Sequence, residues 1–150
     1  MDNLKALKLI GLMGSLTDEM VKKIEGITNV AKFKAGEYIF KEGDRADYFY
    51  AVIEGKVGLE IERDSSTRIR INDVNPNFTF GFSSMVETEQ KLYITNSKAL
   101  EDTSVFKWKA SDLERLFHEN YEMGFYFMKR LAKTLKTRIQ TRDAQMAQYI

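Results

Sequence analysis

After Trp108 the hydrophobic period of this chain turns from strand-like to helical, and that change limits what the chain can fold into. From about Val30 to Trp108 the sequence consists of short runs rich in β-branched and aromatic residues, punctuated by glycine, "EGD", "DSS" and "NPN", which is the pattern of many short strands joined by turns. Beyond "SVFKWKA" the apolar residues recur at helical spacing, and from Tyr121 to Gln148 there is no proline and, after Gly124, no glycine. A helix of about 25 residues is about 40 Å long at ~1.5 Å per residue. The sequence therefore predicts a β body with a helix that outreaches it.

We expect one domain over residues 1–150, with a barrel at roughly 30–108 and C-terminal helices at roughly 111–148. At 150 residues, 43% of them hydrophobic and 30% charged, the chain is long enough to close one core. Ahead of the strands, "LTDEMVKKIEGI" predicts a short helix capped by Thr17, with Met20, Ile24 and Ile27 on one face and Gly26 at its end. "KVGLEIE" and "RIRIND" predict a hairpin, with Glu60 and Glu62 facing Arg68 and Arg70 across the strands and "RDSST" as the turn. Ser111 and Glu114 have the spacing of a capping box on "SDLERLF", and "HEN" bends the chain into the long helix.

On the long helix Phe125, Met128, Leu131, Leu135, Ile139 and Met146 form an apolar stripe close to a heptad seam, interrupted by Arg142. Half of so long a helix extends past its own barrel, so Leu135, Ile139 and Met146 call for a second copy of the chain, and we expect a homodimer joined through this helix. The segment Lys129–Arg142 carries six cations and no acid. Lys129, Lys133 and Lys136 share a face, with Arg138 and Arg142 one turn apart, and they are read as a solvated outer surface that could also meet a protein partner.

Lys plus Arg (23) nearly balances Asp plus Glu (22), so no overall field gathers nucleic acid or an acidic membrane. No cysteine is present, which excludes disulfides, zinc-thiolate sites and thiol nucleophiles. Lys5 and Lys8 interrupt the only apolar run at the start, so neither a signal peptide nor a membrane span is expected, and the chain reads as cytoplasmic.

The stretch "GEYIFKEGDRADYFYAVIEGKVGL" resembles the cyclic nucleotide-binding domain family. Gly36, Ile39, Glu42-Gly43-Asp44, Asp47, Tyr50, Val52, Gly55 and Val57 fall at that family's spacings, followed by Phe80-Gly81 and Ala99. The resemblance covers roughly residues 5–145. It implies a double-stranded β-helix jelly roll, mainly β with flanking α, with a short N-terminal helix and a long C-terminal helix.

Nucleotide-binding members carry a cassette like F-G-E-L-A-L followed by R-A-x-x-V-x-A, in which a short helix and the arginine hold the cyclic phosphate and the glutamate takes the ribose 2′-hydroxyl. Such roles suit helix amides, a guanidinium fork and a carboxylate. Here Phe80 and Gly81 match, but the glutamate's place is Phe82. Counting back from Ala99 puts Tyr93 at the arginine's place, or Leu92 if the loop shifts by one, and the nearest cation is Lys91. Removing one partner of a buried charge pair costs about 2–5 kcal/mol or more, so the resemblance implies lost binding of ordinary cyclic AMP and cyclic GMP.

"GFSS" resembles a bacterial branch with a "GWSSL"-like cassette. Gly81, Phe82, Ser83, Ser84 and Tyr93 are thus the candidate ligand residues, with Ser83 and Ser84 offering free amides and hydroxyls to some other small anion. Jelly rolls also host cupin enzymes, which need converging histidines and carboxylates, but the single histidine, His118, lies outside the strands. Neither a metal site nor catalysis is expected. No helix-turn-helix follows the long helix within the 150 residues, so direct DNA reading is not expected either. The leading reading is a non-catalytic regulatory domain without a cofactor. The alternatives are a ligand-free interaction scaffold and a cyclic-nucleotide sensor with a non-standard pocket.

Overall fold

A computed structural model of the chain describes residues 2–148. Two four-stranded antiparallel sheets form the body, as the jelly-roll expectation requires. One has the order β1 (Asn29–Phe33), β8 (Thr103–Lys109), β3 (Tyr48–Glu54), β6 (Thr79–Phe80), and the other β2 (Tyr38–Phe40), β7 (Asn96–Ala99), β4 (Val57–Glu62), β5 (Arg68–Val74).

Strands β3 and β8 are buried on both faces, which explains why "YFYAVIE" and "SVFKW" read as nearly continuous apolar runs. Tyr50, Val52 and Val105 point between the sheets and pack with Phe40, Val57, Leu59, Val74, Phe80 and Tyr93. Phe49, Ala51, Phe106 and Trp108 point the other way, into a second core roofed by the helices. Trp108 anchors that core, its indole N–H donating to Thr28 Oγ1 at 2.7 Å.

The helical roof comprises α1 (Asn3–Lys8), α2 (Asp18–Glu25), α3 (Ala110–Glu119) and α4 (Tyr121–Ala147). Thr17 caps α2 as expected, accepting from Met20 N at 3.2 Å. Helix α1 adds to the single leading helix expected. Its lysines hide the pattern in the sequence, but Ala6 and Leu7 are buried, as are Ile10, Leu12 and Met13 in the turn that follows.

The capping box expected from Ser111 and Glu114 does not form, because α3 begins at Ala110 and its N-cap position is Lys109, whose side chain makes no capping bond. Lys109 is still paired to Tyr48, and Ala110 N donates to Asp47 O at 2.9 Å, so the strand ladder itself satisfies the helix start. In the β4–β5 hairpin Glu62 and Glu60 lie opposite Arg68 and Arg70 as expected, and Glu62 meets Arg68 at 3.6 Å, but the Arg70 guanidinium pairs with Asp73 at 3.3 Å.

Helix α4 spans 27 residues and turns two different faces to its surroundings. Asn120 ends α3 and caps α4, accepting from Met123 N at 3.1 Å. Met123, Phe127 and Leu131 are buried in the helix-side core, whereas Phe125, Ile139 and Met146 are 60%, 59% and 62% exposed. Leu131, expected on the outer stripe, therefore belongs to the inner face. Ala132 takes its place, so that the outer line runs Tyr121, Phe125, Met128, Ala132, Leu135, Ile139, Arg142, Met146 in alternating steps of four and three. Met128 and Leu135 are only half-exposed, resting in part against their own core.

Candidate ligand pocket

The loop after β6 turns at Gly81, whose φ of 84° is a left-handed value that favours glycine. A Cβ there would approach Tyr48 O and a Tyr50 ring carbon at 3.2 Å, so the backbone lies tight against β3. A three-residue 3-10 turn, Phe82–Ser84, follows. Ser84 does not offer the free groups expected of it, because it is buried and both its amide (3.1 Å) and its hydroxyl (2.7 Å) donate to Gly81 O. Ser83 stays half-exposed.

Tyr93, rather than Leu92, faces the same hollow as Gly81. Its ring stacks on Phe40 with centroids 3.6 Å apart and planes 8° from parallel. Its hydroxyl donates to Tyr48 O at 2.6 Å and accepts from Tyr48 N at 3.2 Å. Burial raises the pKa of Tyr93, and it pushes neighbouring Tyr50 up to about 12, so both rings stay neutral at physiological pH. Tyr93→Phe should lower stability by about 1–3 kcal/mol, because two part-buried backbone groups of Tyr48 lose a partner. A lower urea midpoint at unchanged slope is the expected readout.

Phe82 points away from the barrel interior, edge-on to Phe49 at 5.5 Å. Above it lies Arg138 of α4, whose guanidinium carbon is 4.6 Å from the ring centroid and which also donates to Thr79 O. Arg138, expected on a solvated surface, is half-buried. Burial, and after it the Arg142 charge, lower its pKa to about 10.

A hollow of about 200 Å3 separates the cassette from α4, bordered by Gly81, Phe82, Ser83 and Tyr93 on one side and Leu135, Arg138, Ile139 and Arg142 on the other. Two guanidiniums of α4 thus border the hollow, although the cassette loop itself contributes none. Lys91 does not border the hollow, and Arg45 and Arg68 are held by Asp47 at 3.0 Å and Glu62 at 3.6 Å. Arg138 and Arg142 escaped the sequence reading because their spacing also fits an exposed helix surface. Their one signal was that they share a stretch of helix with Leu135 and Ile139.

Residues 30–120 match the cyclic nucleotide-binding domain family. The chain belongs to that family. The chain is 25% identical over 126 residues to the anaerobic regulatory protein of Bacillus subtilis (strain 168), a match covering 81% of the chain and 50% of that protein. The chain thus spans about half the length of this curated relative.

Among solved structures, a protein of Geobacter metallireducens GS-15 assigned as cyclic nucleotide-binding is 28% identical with a TM-score of 0.79, over 93% of this chain and 99% of that one. A cyclic nucleotide-binding domain from Methylobacillus flagellatus KT, 18% identical over 98% of this chain and 82% of its own, reaches a TM-score of 0.84 and supports the fold.

Among the described residues no group of three or more His, Asp or Glu side chains is placed to hold a metal ion, and His118 lies exposed at the end of α3. No helix among them is long and apolar enough to cross a membrane.

Proposed function

We propose that this chain is a non-catalytic regulatory domain that acts as a homodimer through α4 and has given up ordinary cyclic AMP and cyclic GMP. The observation that carries the reading is Tyr93, which stacks on Phe40 and donates to Tyr48 O where a phosphate-binding arginine would have to reach. Releasing the tyrosine would break those contacts without creating a cation. Phe82, in the glutamate's place, has no acceptor for a ribose hydroxyl.

The regulatory role is supported by family membership and by the relative named as a regulatory protein. The dimer is supported by the outer face of α4, where Tyr121, Phe125, Ile139 and Met146 stay exposed in heptad register. Leu135 and Ile139 lie on that seam and also border the hollow, so a ligand entering beside Gly81 bears on the dimer helix and on the Asn120 bend where α4 begins. Such a ligand shifts α4 only by the difference in its affinity for the two helix positions.

Calorimetric titration with cyclic AMP and cyclic GMP should show no binding in the micromolar range, since losing the arginine weakens such a site by about thirtyfold to several-thousandfold. Micromolar binding of either would end this reading. A ligand-free interaction module is the second reading, and the hollow's small volume favours it, about 200 Å3 against the ~300–1,000 Å3 usual for ligand pockets.

A further inference from the structure

The hollow between the cassette and α4 is bordered by two arginines and no carboxylate. Arg138 and Arg142 stand one helical turn apart, and neither belongs to any of the salt bridges among the described residues. Arg138 is held by neutral partners, the Thr79 carbonyl and the face of Phe82, which orient the guanidinium without cancelling its charge. The acids on the adjoining strands are already engaged: Asp73 with Arg70 at 3.3 Å, Glu62 with Arg68 at 3.6 Å and Glu60 with the Tyr38 hydroxyl at 3.2 Å. Two like charges held close in a partly dry place repel each other, and the lowered pKa of Arg138 has that repulsion as its second cause. An anion between them would relieve it. The remaining wall joins apolar Phe40, Leu59, Ile94 and Ile139 to the polar side chains of Asn72, Ser83 and Thr95.

We propose that this hollow takes a small organic anion, its carboxylate or phosphate held by Arg138 and Arg142 and a single-ring-sized apolar body lying against Phe40, Leu59 and Ile139. A guanidinium suits either oxyanion because its planar N–H groups match two oxygens at once. The charge is met from the helix, in place of the loop. The proposal rests on the reading that Tyr93 closes the cassette, because an arginine there would draw the anion to the loop.

The test uses phenylacetate and phenyl phosphate as probes, with benzyl alcohol as the neutral counterpart and inorganic phosphate as charge without a body, each followed by calorimetry and amide NMR on the full chain. At least one of the two organic anions should bind and shift the amides of Gly81 and Ser83, with benzyl alcohol and inorganic phosphate about tenfold weaker or more. Arg142 is exposed, so Arg142→Gln should leave the fold intact and weaken the anion about ten- to a hundredfold, with Arg142→Lys recovering part of that. Three results overturn the proposal: equal binding of benzyl alcohol, unchanged affinity in Arg142→Gln, or no amide shift with either organic anion at about 10 mM, a weaker limit than any specific site of this kind. Cyclic AMP forms a separate arm. Micromolar binding that survives Arg142→Gln overturns both the closed cassette and this site, whereas micromolar binding abolished by Arg142→Gln overturns the closed cassette alone and upholds the helix arginines as the anion anchor.

Discussion

Gly55→Ala is expected to lower the stability of the chain by about 3–5 kcal/mol, the sum of a backbone and a packing effect. Gly55 joins β3 to β4 with a φ of 96°, where an L side chain is strained wherever it points. An added Cβ would also press on Thr103 Oγ1 and lie 2.6 Å from Asp102 O and 2.8 Å from Thr103 Cα. Those atoms cannot yield cheaply, because Thr103 accepts from Lys56 N at 3.2 Å and donates to Glu101 O at 2.8 Å, fastening the start of β8 to the β3–β4 turn. Gly36 has nearly the same φ, 93°, and nothing within 4 Å of its Cβ position, so Gly36→Ala carries the backbone effect alone. Thermal melts of the two variants separate the effects: Gly55→Ala should fall by about 10 °C or more and Gly36→Ala by clearly less. Equal shifts would mean that the turn is not packed as described.

The β body was legible because its two signals agree: short β-branched and aromatic runs, and turn residues at the places where strands must reverse. The long helix was legible because nothing in it breaks a helix. Which face of that helix meets the sheet was not legible, since Leu131 and Leu135 are equally apolar and only the tertiary fit puts Leu131 inside and Ala132 outside. The capping box at Ser111 failed for a related reason, because local capping chemistry yielded to strand pairing at Lys109. For the pocket, Gly81, Phe82, Ser83 and Tyr93 were readable from their place in the cassette, but Arg138 was not. Its partner Thr79 is 59 residues away in sequence, a contact that exists only once α4 lies across β6.

Phe125→Asp combined with Ile139→Asp should convert the proposed homodimer to monomer. Both side chains are about 60% exposed in the single chain and lie on the seam that begins at Tyr121, so covering each by a second copy contributes about 1–2 kcal/mol of apolar burial. In a symmetric dimer the two substitutions remove four such contributions and set carboxylates against an apolar partner face, which adds a desolvation penalty. A combined loss above ~5 kcal/mol raises the dissociation constant by more than about a thousandfold. Neither residue belongs to the buried core, so the variant should keep its circular dichroism spectrum while its sedimentation coefficient falls. Leu131→Ala is the opposite control. It removes a buried side chain from the inner face and should cost about 2–5 kcal/mol of folding stability while the folded fraction still pairs. A wild type that sediments as a monomer, or a double variant that sediments with it, would leave the exposed heptad of α4 without the partner assigned to it.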